Sequence, residues 1–386
     1  MFAAAFNLDQ KKQVTLAGAP FGHHARVLAE IASSARPRAA VYVAADDLAA
    51  AVTAQLVAFF NPHIEILNFP AWDCLPYDRV SPSAGILAAR VDCLTKLLEP
   101  QKQPRLVITT VQAMLQKVPA PKVFADVSLS LRAGDALDIE KLKSFLARNG
   151  FTRAETVREP GEYAFRGSII DIFPPGVDEP LRLDLFGDDI ESIRCFDPIS
   201  QRTLNTQNSF FLKPVSEIVF DEVTIAHFRT AYRDAFGVSS KDPLYESVSA
   251  GRKYPGMEHW LPLFYNSMAS FTDYVADAVL VLDTQLEEAV SARLSQIDDF
   301  YSARRALQQT EKKTGQIGYR PLSPDKLYLN RQDWDALLAS HTVGNLSPFP
   351  IAELAQNAVD CHGARARDFA DTRAKDAPNL FQTVGD

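Results

Sequence analysis

Two groups of residues in this 386-residue chain have types and spacings that could do chemistry. The first is Arg166, Arg182, Phe186 and Arg194, all lying between Gly161 and Leu204. A guanidinium presents a planar fork that takes a carboxylate through two parallel hydrogen bonds. Arginine beside an outward aromatic is the composition of a protein-binding hot spot. The second group is Gly18, Gly22, His23 and His24, with Asp283 far downstream. Strand, glycine loop and helix N-terminus is the arrangement that cradles phosphate. A working loop ends in Lys-Ser/Thr, because the ammonium reaches the β- and γ-phosphates and the hydroxyl holds Mg²⁺. Here His23-His24 stand in those places, and a neutral imidazole brings one donor and no fixed charge. Asp283 ends the apolar run AVLVLD, where a Mg²⁺-supporting Asp would be followed by Glu. Thr284-Gln285 follow it instead. Both halves of an ATPase site fail independently, which favours a structural turn with at most weak anion affinity.

The elements that must position the arginine group follow from periodicity. In Leu181–Phe186, alternation puts Leu181, Leu183 and Leu185 on one face and Arg182, Asp184 and Phe186 on the other. Gly187-Asp188-Asp189 is turn chemistry, so the next strand folds back as a hairpin. It sets Ile193 and Cys195 against Arg194 and Phe196. An upstream strand over 163–173 sets Phe165 and Ile169 against Arg166 and Ser168, with Gly167 as a bulge. Three strands thus give one apolar layer and one layer holding Arg166, Arg182, Arg194 and Phe186. That layer is either the solvated side of a half-buried sheet or a binding surface.

Around this stretch the chain alternates strand and helix. Strands are predicted at 39–45, 64–67, 105–110 and 278–283, with helices at 47–59 and 84–98. Asp46 is placed to cap the first of these helices. Such alternation predicts a parallel sheet covered by helices. KVPAPKVF reads as a crossing into a second, α+β domain with a helix at 139–149. A helix over 221–236 and a long polar helix over 286–313 follow, the latter with a basic cluster at Arg304-Arg305 and Lys312-Lys313. Solvation of an exposed face accounts for such a cluster.

Composition narrows the function classes. A net charge of −8 argues against an autonomous nucleic-acid binder, which carries a basic excess. The four cysteines form no C-x-x-C pair, so neither a disulfide framework nor a zinc site is indicated. The first residues lack a secretory leader pattern and no apolar run reaches membrane-spanning length, so a cytoplasmic protein is expected. No nucleophile elbow or hydrolase triad is present to support another enzyme class.

The run GEYAFRGSIIDIFPPG, continuing through LRLDLFGDDIESIRCFDPISQRTL, closely resembles the N-terminal part of bacterial transcription-repair coupling factors. It is similar, more distantly, to the excision-repair protein UvrB. The resemblance extends from about Leu16 to Leu329. It implies an α/β fold: a P-loop, RecA-like parallel-sheet domain with a degenerate nucleotide site, and an inserted α+β domain carrying an antiparallel sheet. The expected division is 1–119 and 208–345 for the first domain, 120–207 for the insert, and 346–386 for the start of a further domain. The resemblance also implies a portion of a longer protein, without its polymerase-binding and motor domains.

In UvrB, a segment similar to Leu75-Pro76-Tyr77-Asp78 leads into a long hairpin that clamps DNA. Here the chain passes almost directly to a helix, so the fold is implied without that device. Trp72, Tyr77 and Trp260 are then packing residues. The family's function implies a non-catalytic module that recruits UvrA to stalled transcription complexes, through Arg166, Arg182, Phe186 and Arg194. No cofactor is expected for this chain, ATP and Mg²⁺ belonging to the absent motor. RNA polymerase is reached only through absent domains, and the remainder of the longer protein is expected to mask the UvrA face. The rival is a nucleotide-dependent, helicase-like DNA-binding domain, supported by fold analogy alone.

Overall fold

Seven parallel strands form the larger sheet, in the order Ala358–Asp360, Gln13–Ala17, Thr342–Leu346, Val279–Leu282, Ala40–Ala44, Arg105–Thr110, Glu65–Phe69. The computed structural model describes residues 13–35, 38–125, 127–237, 242–313, 318–350 and 357–364. Residues 1–12, read above for a leader, lie outside these, as do 365–386 and the side chains of Lys312 and Lys313.

Burial on both faces explains why the central strands read as unbroken apolar runs. Ala40, Tyr42 and Ala44 pack beneath the helices His23–Ala35 and Asp47–Phe60. Val41 and Val43 point the other way, toward Val91 and Leu94 of the helix Ala84–Leu97 and Val290 of the helix Leu286–Lys313. Asp46 caps its helix as expected, its carboxylate accepting from the Ala49 amide at 2.8 Å.

Three residues of the segment assigned above to a further domain add an edge strand to this sheet. Ala358–Asp360 pairs parallel with Gln13–Ala17. The Thr15 amide donates to Asn357 O and the Cys361 amide to Ala17 O, each at 2.8 Å. The pairing satisfies backbone groups that an open edge would leave to solvent.

Strand Val118–Pro119 pairs antiparallel with Met268–Ala269, and the chain between them builds two further units. The first carries a six-stranded sheet in the order Thr203–Gln207, Asp189–Phe196, Leu181–Phe186, Ile169–Ile172, Glu162–Arg166, Thr152–Arg153. It is antiparallel except for its last pair. Ile170, Ile172, Leu181, Leu183 and Ile193 form its apolar face, packed against Leu142 and Leu146 of the helix Ile139–Arg148. The second unit gathers the helices Glu222–Phe236 and Pro243–Ser249 around Phe228 and Tyr232. Trp72, Tyr77 and Trp260 are buried in that same cluster, so all three are packing residues.

Two of the contacts that fasten the insert to the α/β layer are close and specific. Arg90, on the helix Ala84–Leu97, closes both ends of its fork on Glu217 at 3.0 Å. Glu217 also accepts from Trp72 Nε1 at 2.9 Å, and the guanidinium stacks 4.3 Å from the Phe69 centroid. Both members of the pair are fully buried, and such a pair is tolerable only when its hydrogen-bonding capacity is met in this way. The second contact is a close approach at Gly176. A Cβ there would lie 2.1 Å from the Asp92 carboxyl carbon, and its φ of +72° also excludes most side chains.

Candidate interaction surface

The polar face of the inserted sheet is built from cross-strand rows. Arg182 sits opposite Asp171 on one side and Arg194 on the other. Two residues along, Asp184 sits between Ile169 and Ser192, and Ile169 lies opposite Arg166. Leu181, Leu183 and Leu185 are buried as alternation requires, and Phe186 is 79% exposed. The register shifts between Asp184 and Leu185, where Glu191 of the partner strand is passed over, and Phe186 keeps the outward side at the hairpin end.

Three features depart from the sequence reading. Ile169 shares the face of Arg166 and Asp184 and not that of Phe165, which pairs with Ile170. The upstream segment is a hairpin of two strands, Glu162–Arg166 and Ile169–Ile172. Gly167, with φ +61°, is in its tight turn and is not a bulge. Phe196 faces the polar side by parity yet is fully buried, in a small cluster with Val157, Ala164 and Phe173. That side of the sheet is therefore covered at one end and open toward Phe186.

Two of the three guanidinium forks on this face are closed on carboxylates of the same sheet. Arg182 donates to Asp171 through Nε at 2.6 Å and Nη2 at 2.8 Å, and stacks 4.4 Å from the Phe196 centroid. Hydrogen bonding to Asp171 raises the Arg182 pKa against the opposing effect of burial. Arg194 closes on Asp184 in the same bidentate manner. Burial pushes the Asp184 carboxyl up, but Arg194 and Ser192 outweigh it and hold the group below its ordinary range. Two arginines directly opposite would repel, and the two carboxylates neutralise that row. Arg166 is exposed, donates to the Glu155 carbonyl and makes no ion pair among the described residues.

Asp171 was read only as a strand residue. The signal that could have found it is opposite charge on strands predicted to pair. Ile199 was missed as well. It is 88% exposed, the largest exposure of any large apolar side chain among the described residues, and sits in the Asp-Pro turn after Phe196.

The glycine loop lies elsewhere, at the carboxyl ends of the large sheet's strands. Gly18 N donates to Phe349 O at 2.7 Å, Ala19 N to Ser347 O at 2.8 Å, and Gly22 N to His24 Nδ1 at 3.0 Å. Because Nδ1 accepts, the proton of His24 is on Nε2, which donates to Thr53 Oγ1 at 2.9 Å. Burial lowers the His24 pKa, so the ring is neutral. Asp283 accepts from the Thr284 amide at 2.8 Å and from the Ala45 amide at 3.4 Å. Three amides of the loop, those of Gly18, Ala19 and Gly22, are thus engaged by the protein itself. Among the described residues no cluster of three or more His, Cys, Asp or Glu could hold a metal ion. No helix among them is long and apolar enough to cross a membrane.

Residues 129–218 match the UvrB interaction domain family. Over 271 residues, 70% of this chain, it is 37% identical to the transcription-repair-coupling factor of Rickettsia bellii. The corresponding proteins of Haemophilus influenzae and Escherichia coli are each 34% identical, over 72% and 70% of the chain. The chain spans about a quarter of the length of these curated relatives, 24%, 24% and 23% respectively. With the UvrB interaction domain falling on the insert whose polar face is described above, the chain belongs to the transcription-repair-coupling factor family.

Proposed function

We propose that this chain is a non-catalytic module that recruits the excision-repair protein UvrA to transcription complexes stalled at DNA damage. The observation that carries the reading is Phe186, 79% exposed at the open end of the polar face, in the domain that matches the UvrB interaction family. An aromatic held so far into solvent by regular strands fits an anchor that fills a partner's pocket. Arg166 adds an exposed charge on the same face, suited to steering and to rim contacts. Arg182 and Arg194 belong to the surface through the two salt bridges that shape it.

In this reading the chain takes no cofactor. ATP with Mg²⁺, and contact with RNA polymerase, belong to other parts of the longer relatives. Those parts also mask the face until UvrA competes for it. The engaged amides of the Gly18–Gly22 loop support a degenerate nucleotide site on a RecA-like sheet. Direct DNA binding is weak, given the net charge of −8.

Calorimetric titration with UvrA tests the reading. Phe186→Ala is expected to weaken binding by about 2 kcal/mol, and Arg166→Ala by a smaller amount that shrinks as salt rises. If both folded variants bind UvrA like the parent chain, the surface is misassigned.

A further inference from the structure

Ile199 is more exposed than Phe186, yet the turn that carries it is tightly built. Asp197 accepts from the Ser200 amide at 2.5 Å, and its own amide donates to Arg202 O at 2.9 Å. Gln201 N closes the turn on Asp197 O at 2.8 Å. Gln201 has φ +61°, a left-handed conformation that a glutamine adopts only when its surroundings impose it. The surroundings are visible. Gln201 Nε2 donates to Val157 O at 3.1 Å and to Pro198 O at 2.8 Å. Arg182 reaches both the Gln201 carbonyl and its Oε1 at 3.4 Å.

A single exposed isoleucine on a loose loop would need no explanation. Here a strained residue, braced from two sides, holds the isoleucine out, and the brace includes a residue of the proposed UvrA face. We infer that Ile199 is a second apolar anchor for the same partner, and that Arg182 acts on binding as a positioning residue, through Gln201. The inference rests on the UvrA reading above and extends its surface to the opposite end of the sheet. The reach is reasonable. Arg182 and Phe186 are four residues apart on one strand, about 13 Å, and a standard interface of about 800 Å² per partner covers both ends. The partner must then offer two apolar pockets, one for Phe186 and one for the Ile199 turn, with polar surface between them facing the neutralised arginine row.

The test is titration of the whole chain with UvrA, alongside thermal unfolding of each variant. Ile199→Ala is expected to weaken binding about 10-fold or more, and Ile199→Asp further, with melting temperatures unchanged because the side chain is in solvent. Gln201→Gly keeps the left-handed backbone and removes the side-chain brace. It should weaken binding partially, and adding Ile199→Ala to it should cost less than Ile199→Ala does alone. A merely structural role for Gln201 would leave the two changes additive. If Phe186→Ala weakens binding while Ile199→Ala and Ile199→Asp bind like the parent, the inference is overturned and the UvrA reading stands. If the parent chain does not bind UvrA, both are overturned.

Discussion

Arg182 and Asp171 face each other across paired antiparallel strands, with both ends of the guanidinium fork closed on the carboxylate. The Asp171 side chain is 1% exposed. Truncating the arginine leaves that carboxylate buried and unpaired, which costs far more than the pair contributes when intact. Arg182→Ala is therefore expected to lower folding stability by about 3 kcal/mol, measured by urea denaturation. The double change Arg182→Ala, Asp171→Ala should cost less than the sum of the two. A parent-like denaturation midpoint for Arg182→Ala would mean the pair does not hold the sheet. Any loss of UvrA binding in this variant then has to be separated from the loss of fold, which the exposed Phe186 and Ile199 allow.

The buried pair Arg90–Glu217 links the α/β layer to the chain returning from the insert. Glu217→Ala strands a guanidinium with no exposure, and removes the acceptor of Trp72 Nε1 as well. The expected loss is about 3–5 kcal/mol, read as a lower melting temperature. Limited proteolysis around residues 213–221 should accelerate, because the return segment loses its anchor on the helix Ala84–Leu97. Unchanged protection there would show that the apolar contacts alone dock the insert.

Much of this was legible in the sequence, for reasons visible in particular residues. Leu181, Leu183 and Leu185 follow a strict period of two over a buried sheet face, so their layer could be assigned from spacing alone. Phe196 shows the limit. Parity placed it on the correct side, but its burial comes from Val157 and Phe173, distant residues that no local pattern announces. The two salt bridges were hidden for the same reason. Alternation put Arg182, Asp184 and Arg194 together without saying that each arginine would find its carboxylate within the sheet. The edge strand Ala358–Asp360 is three residues long, too short for periodicity to report.

Asp184 makes part of the stability pH-dependent. Its carboxyl is held below the ordinary value of 3.8 in the folded chain, by Arg194 and Ser192 against the effect of burial. The unfolded chain therefore takes up a proton at higher pH than the folded one does. The contribution is fully present above the ordinary value and is lost as pH falls through the lowered folded value. Arg194 is about one-third exposed, so solvent screens the pair and the effect is modest. Denaturation of the parent and Asp184→Asn is expected to differ at pH 7 and to converge progressively below pH 3.8. A difference that stays constant down to pH 2 would assign the loss to packing.

Adding a lysine at the end of the glycine loop should not create a nucleotide site. His24 occupies the end of that loop as a neutral ring, accepting from the Gly22 amide and donating to Thr53. His24→Lys would place an ammonium at the end of the loop, one position past His23, which stands where such a loop carries its lysine. Two obstacles remain. The Gly18 and Ala19 amides still donate to Phe349 and Ser347, so these two donors are not free for a phosphate. The new ammonium would also sit where His24 is 3% exposed, which penalises its charged form. The expected result is lower stability, and no heat of ATP binding with Mg²⁺ in either the parent or the variant. Saturable binding by His24→Lys, abolished by Asp283→Ala, would mean that the missing ammonium alone had silenced the site and that the engaged amides yield to a phosphate.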